Sequence, residues 1–160
     1  MQKLGRHREA IQAYDLALTF DPDNVDGHWN RGLCHLLLGD YELGWAGYEW
    51  RWRRGARETT PRDFAEPLWR GEPDLTGRTI LLHAEQGLGD CIQFARYAPQ
   101  VAARGARVIL EVFEPLVALL SALPNLSQLV RRGDPLPAFD LQCPLMSLPL
   151  ALGQPCPSPE

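Results

Sequence analysis

The 160-residue chain has no run of the eighteen or so apolar residues that a membrane-spanning helix needs. Its N-terminus, Met1 to Arg8, is polar and basic and has no apolar segment of the kind a secretory signal requires. The four cysteines, Cys34, Cys91, Cys143 and Cys156, never reach a C-x-x-C spacing. That leaves no zinc or dithiol motif, and scattered single cysteines fit a reducing compartment better than a disulfide framework. There is no excess of basic charge: the net charge is −4, which argues against a protein built mainly to bind nucleic acid. No G-K-S/T step follows a glycine-rich loop, so a phosphate-binding P-loop is excluded. A cytoplasmic protein without bound metal or cofactor is the expectation. Hydrophobic residues make up 45% of the chain, enough to bury a sizeable core.

What is present begins with a repeat. Two stretches coincide when shifted by thirty-four residues, a period that implies helical hairpins. Leu4-Gly5 falls on Leu38-Gly39, Ala10 on Gly44, and Tyr14 on Tyr48. Ala10, Ile11, Tyr14, Ala17 and Leu18 recur at helical spacing, and Trp29, Gly32, Leu33, Leu36 and Leu37 do so again. Asp21-Pro22 closes the helix expected over 7–19, and small residues at Gly32 and Gly44 admit close helix contact. Residues 1–52 resemble tetratricopeptide repeats, with His28 and Arg31 standing where that pattern has Trp and Leu. The resemblance implies a groove for a protein or peptide partner. In this register the helix over 7–19 is the second of its own repeat and lacks its hairpin partner. His28 and His35 lie seven apart and suggest no metal site.

A further helix is expected over 41–53, with Tyr41, Trp45, Tyr48 and Trp52 on one face and Arg51, Arg53 and Arg54 at its end. Positive charge suits a helix C-terminus. Two readings stand: a stacking platform or basic groove for a sugar or base, or a packed seam. Residues 55–77 carry Gly55, Pro61, Pro67, Gly71, Pro73 and Gly77 and read as an ordered connector. Phe64, Leu68 and Trp69 are too apolar for a free linker and should be pinned against a domain.

From residue 78 the pattern changes. Thr79–His83 is a short apolar run, followed by a Gly87-Leu88-Gly89-Asp90 turn and an apolar periodicity over 90–103. Arg107–Val112 is a second β-rich run, Pro115 opens a helix to about Leu123, and short strands are expected at 129–130 and 139–141. Such alternation implies a parallel sheet with helical crossovers. The expected fold class is α + α/β: helical hairpins over 1–54, the connector, a Rossmann-like parallel half-domain over 78–153, and a Pro-rich tail over 154–160.

The stretch between the first strand and its helix, Glu85-Gln86-Gly87-Leu88-Gly89-Asp90, is the best candidate site. Ligands of open α/β sheets bind at the carboxyl ends of the strands. Two glycines let backbone approach a ligand, and a helix N-terminus favours an anion. A dinucleotide fingerprint needs a third glycine where Ile92 stands, and the acidic Glu111 about twenty residues on belongs inside a strand, so an NAD-type site is not expected.

Leu82–Asp90 with Ile92–Tyr97, Tyr48–Trp52, Pro67-x-Trp69-x-Gly71, Pro137–Asp140 and Pro144–Pro149 together resemble bacterial tetratricopeptide proteins with a glycosyltransferase-like domain. The Gly-Asp step with Pro99 beyond it is similar to the heptosyltransferase branch, whose architecture is two Rossmann-like halves of GT-B type. The resemblance implies that Asp90 is the catalytic base for an acceptor hydroxyl. Glu85, Gln86, Gly87 and Gly89 would line the substrate loop, with a nucleotide sugar as donor substrate of a longer parent. Cys91 departs from the threonine expected there. Asp90 has a second reading as a helix N-cap, and Glu85 and His83 are alternatives near the strand end. With the donor-binding half absent, residues 1–160 are expected to be inactive alone. The other reading is an interaction scaffold.

Overall fold

A computed structural model describes residues 5–55 and 62–153. The Pro-rich tail, Leu4 and Pro61 lie outside the described residues. The chain divides into two compact units, Met1–Pro61 and Arg62–Glu160.

Among its described residues the first unit has three α-helices in series, α1 (His7–Phe20), α2 (Val25–Leu38) and α3 (Tyr41–Tyr48), with α1 packed on α2 and α2 on α3. Local chemistry sets the ends. The Asn24 side chain accepts the Gly27 N–H at 2.7 Å and caps α2. At the other end Gly39 takes φ +82°, its N–H reaching the Leu36 carbonyl while Asp40 N–H reaches that of His35. That is the left-handed stop glycine makes cheaply. The α2–α3 contact is backbone on backbone: a methyl group on Gly47 would lie 2.6 Å from Gly32 Cα, and one on Gly44 would strike Leu36. Gly47 was not singled out from the sequence, although it is the residue that faces Gly32.

The helix expected over 41–53 is α-helical only to Tyr48 and tightens into a 3₁₀ turn over Glu49–Arg53. The four aromatics therefore do not form one continuous face. Tyr48 is buried and meets Trp45 edge-on at 5.7 Å, while Trp45 and Trp52 are half-buried and Tyr41 is exposed.

The second unit is built on four parallel strands, β1 (Thr79–His83), β2 (Arg107–Val112), β3 (Gln128–Arg131) and β4 (Leu141–Pro144), in the order β3-β2-β1-β4. Together with the helical segment this is the α + α/β architecture expected. Leu81 pairs with Ile109 and Gln142, and His83 with Glu111 and Pro144. Side chains alternate across a sheet. Ile80, Leu82, Val108, Leu110 and Val112 bury one face; Leu81, Ile109 and Val130 make a cluster on the other, sealed by Phe64, Leu136 and Phe139.

Helical stretches differ from expectation where proline intervenes. The periodicity over 90–103 is two helices, α4 (Leu88–Ala95) and α5 (Ala98–Ala103), broken at Arg96-Tyr97. Pro99 has no N–H to give to Ala95 and sits in the first turn of α5, where none is needed. The segment after Pro115 starts as a 3₁₀ turn at Glu114 and continues as α6 (Val117–Leu120), ending before Leu123. The last strand begins at Leu141 rather than at Phe139. Asp140 instead closes the entry to β1, its N–H donating to the Thr79 carbonyl and its carboxylate accepting the Thr79 N–H at 2.7 Å. The described residues end with a 3₁₀ turn at Leu145–Ser147 and α7 (Leu148–Ala151).

The stretch from Arg62 onward belongs to the sheet unit. Trp69 N–H donates to the Gln142 carbonyl at 2.8 Å, and Leu68 makes a parallel bridge with Gln142. Trp69 is 1% exposed. Phe64, Leu68 and Trp69 are thus all held against the sheet unit.

Candidate functional site

The order β3-β2-β1-β4 means that the chain leaves β1 toward β2 and β3, then returns to the opposite side of β1. The crevice where strand order reverses lies between the carboxyl ends of β1 and β4, the place open α/β sheets offer to a ligand. The Glu85–Asp90 loop springs from that end of β1, and the Leu145–Ser147 turn from that end of β4, where it packs against α4.

The loop is fastened at its base. Ala84 N–H donates to the Glu111 carbonyl at 3.0 Å, and the Ala84 carbonyl accepts from the Arg132 guanidinium at 3.2 Å. Glu85 and Gln86 are half-buried, Gly87 and Gly89 exposed, and Asp90 half-buried. Nothing lies within 4 Å of where a Gly89 side chain would begin, so the loop backbone there faces open space. Gly87 has φ −68°, a conformation any residue adopts.

Asp90 is not the N-cap. Gly87 holds that position and Asp90 is the third residue of α4, its carboxylate accepting the Gly87 N–H at 3.2 Å. This is the half of a capping box that a glycine cap leaves possible. The carboxylate also lies in the first turn of the helix, where the dipole favours negative charge. The same side chain is thus a helix-stabilising group and a half-exposed carboxylate at the crevice.

Cys91 faces the other way. It is buried, and burial pushes its thiol up to about 11, the neighbouring Asp90 charge adding to the rise while a hydrogen bond with Phe113 backbone opposes it. A thiol so placed is a core group and not a nucleophile. His83 is also drawn inward: it is 2% exposed, with Nε2 against Gln142 Oε1 at 3.0 Å and Phe64 at 5.3 Å between ring centroids. It lies beneath the loop rather than in it. Arg132 and Glu111 are parts of the site's support that the sequence reading did not assign. Only the strand order brings the end of β3 to the end of β1.

The aromatic-arginine stretch of the helical unit satisfies itself. Arg54 lies 4.0 Å over Trp29 and donates to Asp26 at 2.8 Å. Arg51 lies over Tyr48 and Trp52 and pairs with Glu49 at 2.5 Å; Arg53 covers Trp50, whose other partner is the His28 ring, 3.7 Å away and nearly parallel. These ring faces are occupied by the chain's own cations, which suits the packed reading over a stacking platform. His35 meets Asp40 at 3.3 Å, and among the described residues no cluster of His, Cys, Asp or Glu could hold a metal. No helix among them is long and apolar enough to cross a membrane.

Protein FlbA of Caulobacter vibrioides is 32% identical over 71 residues, 44% of this chain and 12% of FlbA. The chain thus matches about an eighth of the length of that relative. No solved structure matches. The family model described as TPR repeat matches residues 3–39, the part of the chain in which α1, α2 and the Gly39 stop make the repeated helical pattern.

Proposed function

We propose that the protein couples a partner-binding helical segment to the acceptor side of a sugar-transferring α/β domain. The helical half of the reading rests on the TPR repeat match, because repeats of this kind support a role in protein interaction. The α/β half rests on one observation: the Glu85–Asp90 loop opens at the reversal of strand order, with a half-exposed carboxylate at the first turn of α4.

In this reading Asp90 is the base. A carboxylate there accepts the proton of an acceptor hydroxyl as that oxygen attacks the anomeric carbon of an activated sugar, and the nucleoside diphosphate departs. Glu85 and Gln86 hydrogen-bond neighbouring hydroxyls. The open backbone at Gly87 and Gly89 lets the sugar ring approach, and the first-turn N–H groups of α4 steady developing negative charge. In this reading a second α/β half holds the donor nucleotide, and residues 1–160 supply the acceptor side.

The test is a titration of isotope-labelled protein with methyl glycosides of hexoses and heptoses. Shifts concentrated at Glu85–Asp90 and Leu145–Ser147 are expected, and they should weaken in Asp90→Asn. Shifts elsewhere, or sugar transfer by residues 1–160 alone, would overturn the reading. The interaction-scaffold reading stands beside it on the TPR repeat match. It requires partner binding to be lost when residues 1–54 are deleted.

A further inference from the structure

Behind the candidate loop lies a polar group that the proposed chemistry does not use. Glu111 is fully buried in β2, beside His83 on the same sheet face, because the two are register partners on adjacent parallel strands. One carboxylate oxygen is ion-paired with Arg62; the other, Oε1, is buried with no hydrogen-bond partner. Arg62 is thus the cation that makes this carboxylate tolerable inside the sheet, since a buried charge left unpaired is strongly destabilising.

Arg62 arrives on a strap. Residues 62–68 alternate, with Arg62, Phe64, Glu66 and Leu68 turned inward and Asp63, Ala65 and Pro67 exposed. The Arg62 guanidinium lies 4.5 Å over the Phe64 ring. Phe64 in turn meets Phe139 edge-on at 5.5 Å and His83 at 5.3 Å, and caps the Leu81–Ile109–Val130 cluster. One end of the strap therefore grips both β2, through Glu111, and the last residue of β1, through His83. The next residue, Ala84, is bonded to the Glu111 carbonyl, and the Glu85–Asp90 loop starts there.

We propose that Arg62–Phe64 is a latch that sets the conformation of the Glu85–Asp90 loop by clamping the end of β1. When the latch is seated, His83 and Ala84 are fixed and the loop is held in the arrangement that places Asp90 on the Gly87 N–H. When it lifts, Glu111 loses its cation, the aromatic cover of the sheet opens, and the loop loses its anchored base. Arg62 and Phe64 are positioning residues: they act on the loop through β1 and β2. The latch takes its functional meaning from the acceptor-site reading, but its mechanical claim stands apart from any sugar chemistry.

Amide hydrogen exchange on the full chain tests it. In Arg62→Met, exchange of the Ala84 and Gly87 amides, whose bonds are to Glu111 and Asp90, should rise about tenfold or more and by more than that of Leu81, Val101 and Leu110, the signature of a local opening. Arg62→Lys, which keeps the cation, should retain most of the protection. Adding Glu111→Gln to Arg62→Met should restore part of it, because the amide leaves no unpaired charge in the sheet. A rise spread evenly over the sheet, no rise at the loop, or strictly additive effects of the two substitutions would each overturn the latch. Exchange needs no ligand, so a failed sugar titration with a positive exchange result would remove the acceptor reading and leave the latch.

Discussion

Gly47→Ala should destabilise the helical unit, although helix propensity alone favours it. Alanine is better than glycine in a helix interior by about 1 kcal/mol. At position 47, however, the new methyl carbon would stand 2.6 Å from Gly32 Cα, 3.1 Å from Gly32 N and 3.2 Å from the His28 carbonyl oxygen. These are backbone atoms, so no side chain can turn aside. Ordinary contact begins near 3.4 Å, which requires α2 and α3 to separate by about 0.8 Å. That movement loosens the packing around buried Tyr48 and the Gly44–Leu36 contact. Overpacking typically costs about 1–3 kcal/mol, which exceeds the propensity gain at most of its range. A net loss of about 1 kcal/mol, and at most about 2 kcal/mol, is the expected outcome. Urea unfolding followed by far-UV circular dichroism and tryptophan fluorescence measures it, with Gly89→Ala as the control. The Gly89 site is open and exposed, so that substitution should be neutral or slightly favourable. A Gly47→Ala protein as stable as the parent would refute the claim that backbone contact fixes α2 against α3.

Three other outcomes follow from named contacts. Asn24→Ala removes the acceptor for Gly27 N–H and should cost about 1 kcal/mol in the same unfolding assay. Asp90→Asn keeps the shape but weakens the bond to Gly87 N–H and removes the first-turn charge, so a loss of about 0.5–1 kcal/mol is expected without any ligand. That measured loss must be separated from any effect on acceptor binding. Burial raises the Cys91 thiol to about 11, against an ordinary value near 8.5–9. The folded state thus holds its proton where the unfolded state has lost it. Stability from this group is complete below about pH 9 and is lost as pH rises toward 11, by about 2–3 kcal/mol in all. Cys91→Ser stability profiles should lack that alkaline fall, and native Cys91 should resist thiol reagents at pH 8.

The helices were legible because their signals are local. Asp21-Pro22 closes the first helix, and the thirty-four-residue shift gives the hairpin period whatever surrounds it. The strands at 79–83 and 107–112 are legible as apolar runs that each follow a glycine, Gly77 and Gly105, since a strand covered on both faces needs apolar residues on both. The Gly87–Asp90 stretch is legible as a loop leading into a helix, but of the two readings of Asp90 the N-cap is not what the structure has: Asp90 is the third residue of α4. Glycine in the N-cap position, with the aspartate reaching back to it, has the same composition as an aspartate cap. The split of the helix at Arg96-Tyr97 was readable in Pro99 and went unread because the apolar period continues across it.

By itself the sequence determined roughly where helices and strands lie though not their breaks and ends, that two differently patterned regions follow one another, and that Glu85–Asp90 is a turn between a strand and a helix. These depend on residues near in the chain. Only the tertiary structure decided that β4 returns beside β1, that Arg132 reaches Ala84, that Gly47 meets Gly32, and that Arg62 neutralises Glu111 forty-nine residues away. Strand order and ion pairing across such separations are chosen by which arrangement buries the apolar faces while leaving a compensating charge for every buried one. That choice is a property of the whole packed sheet, and no local stretch of residues carries it.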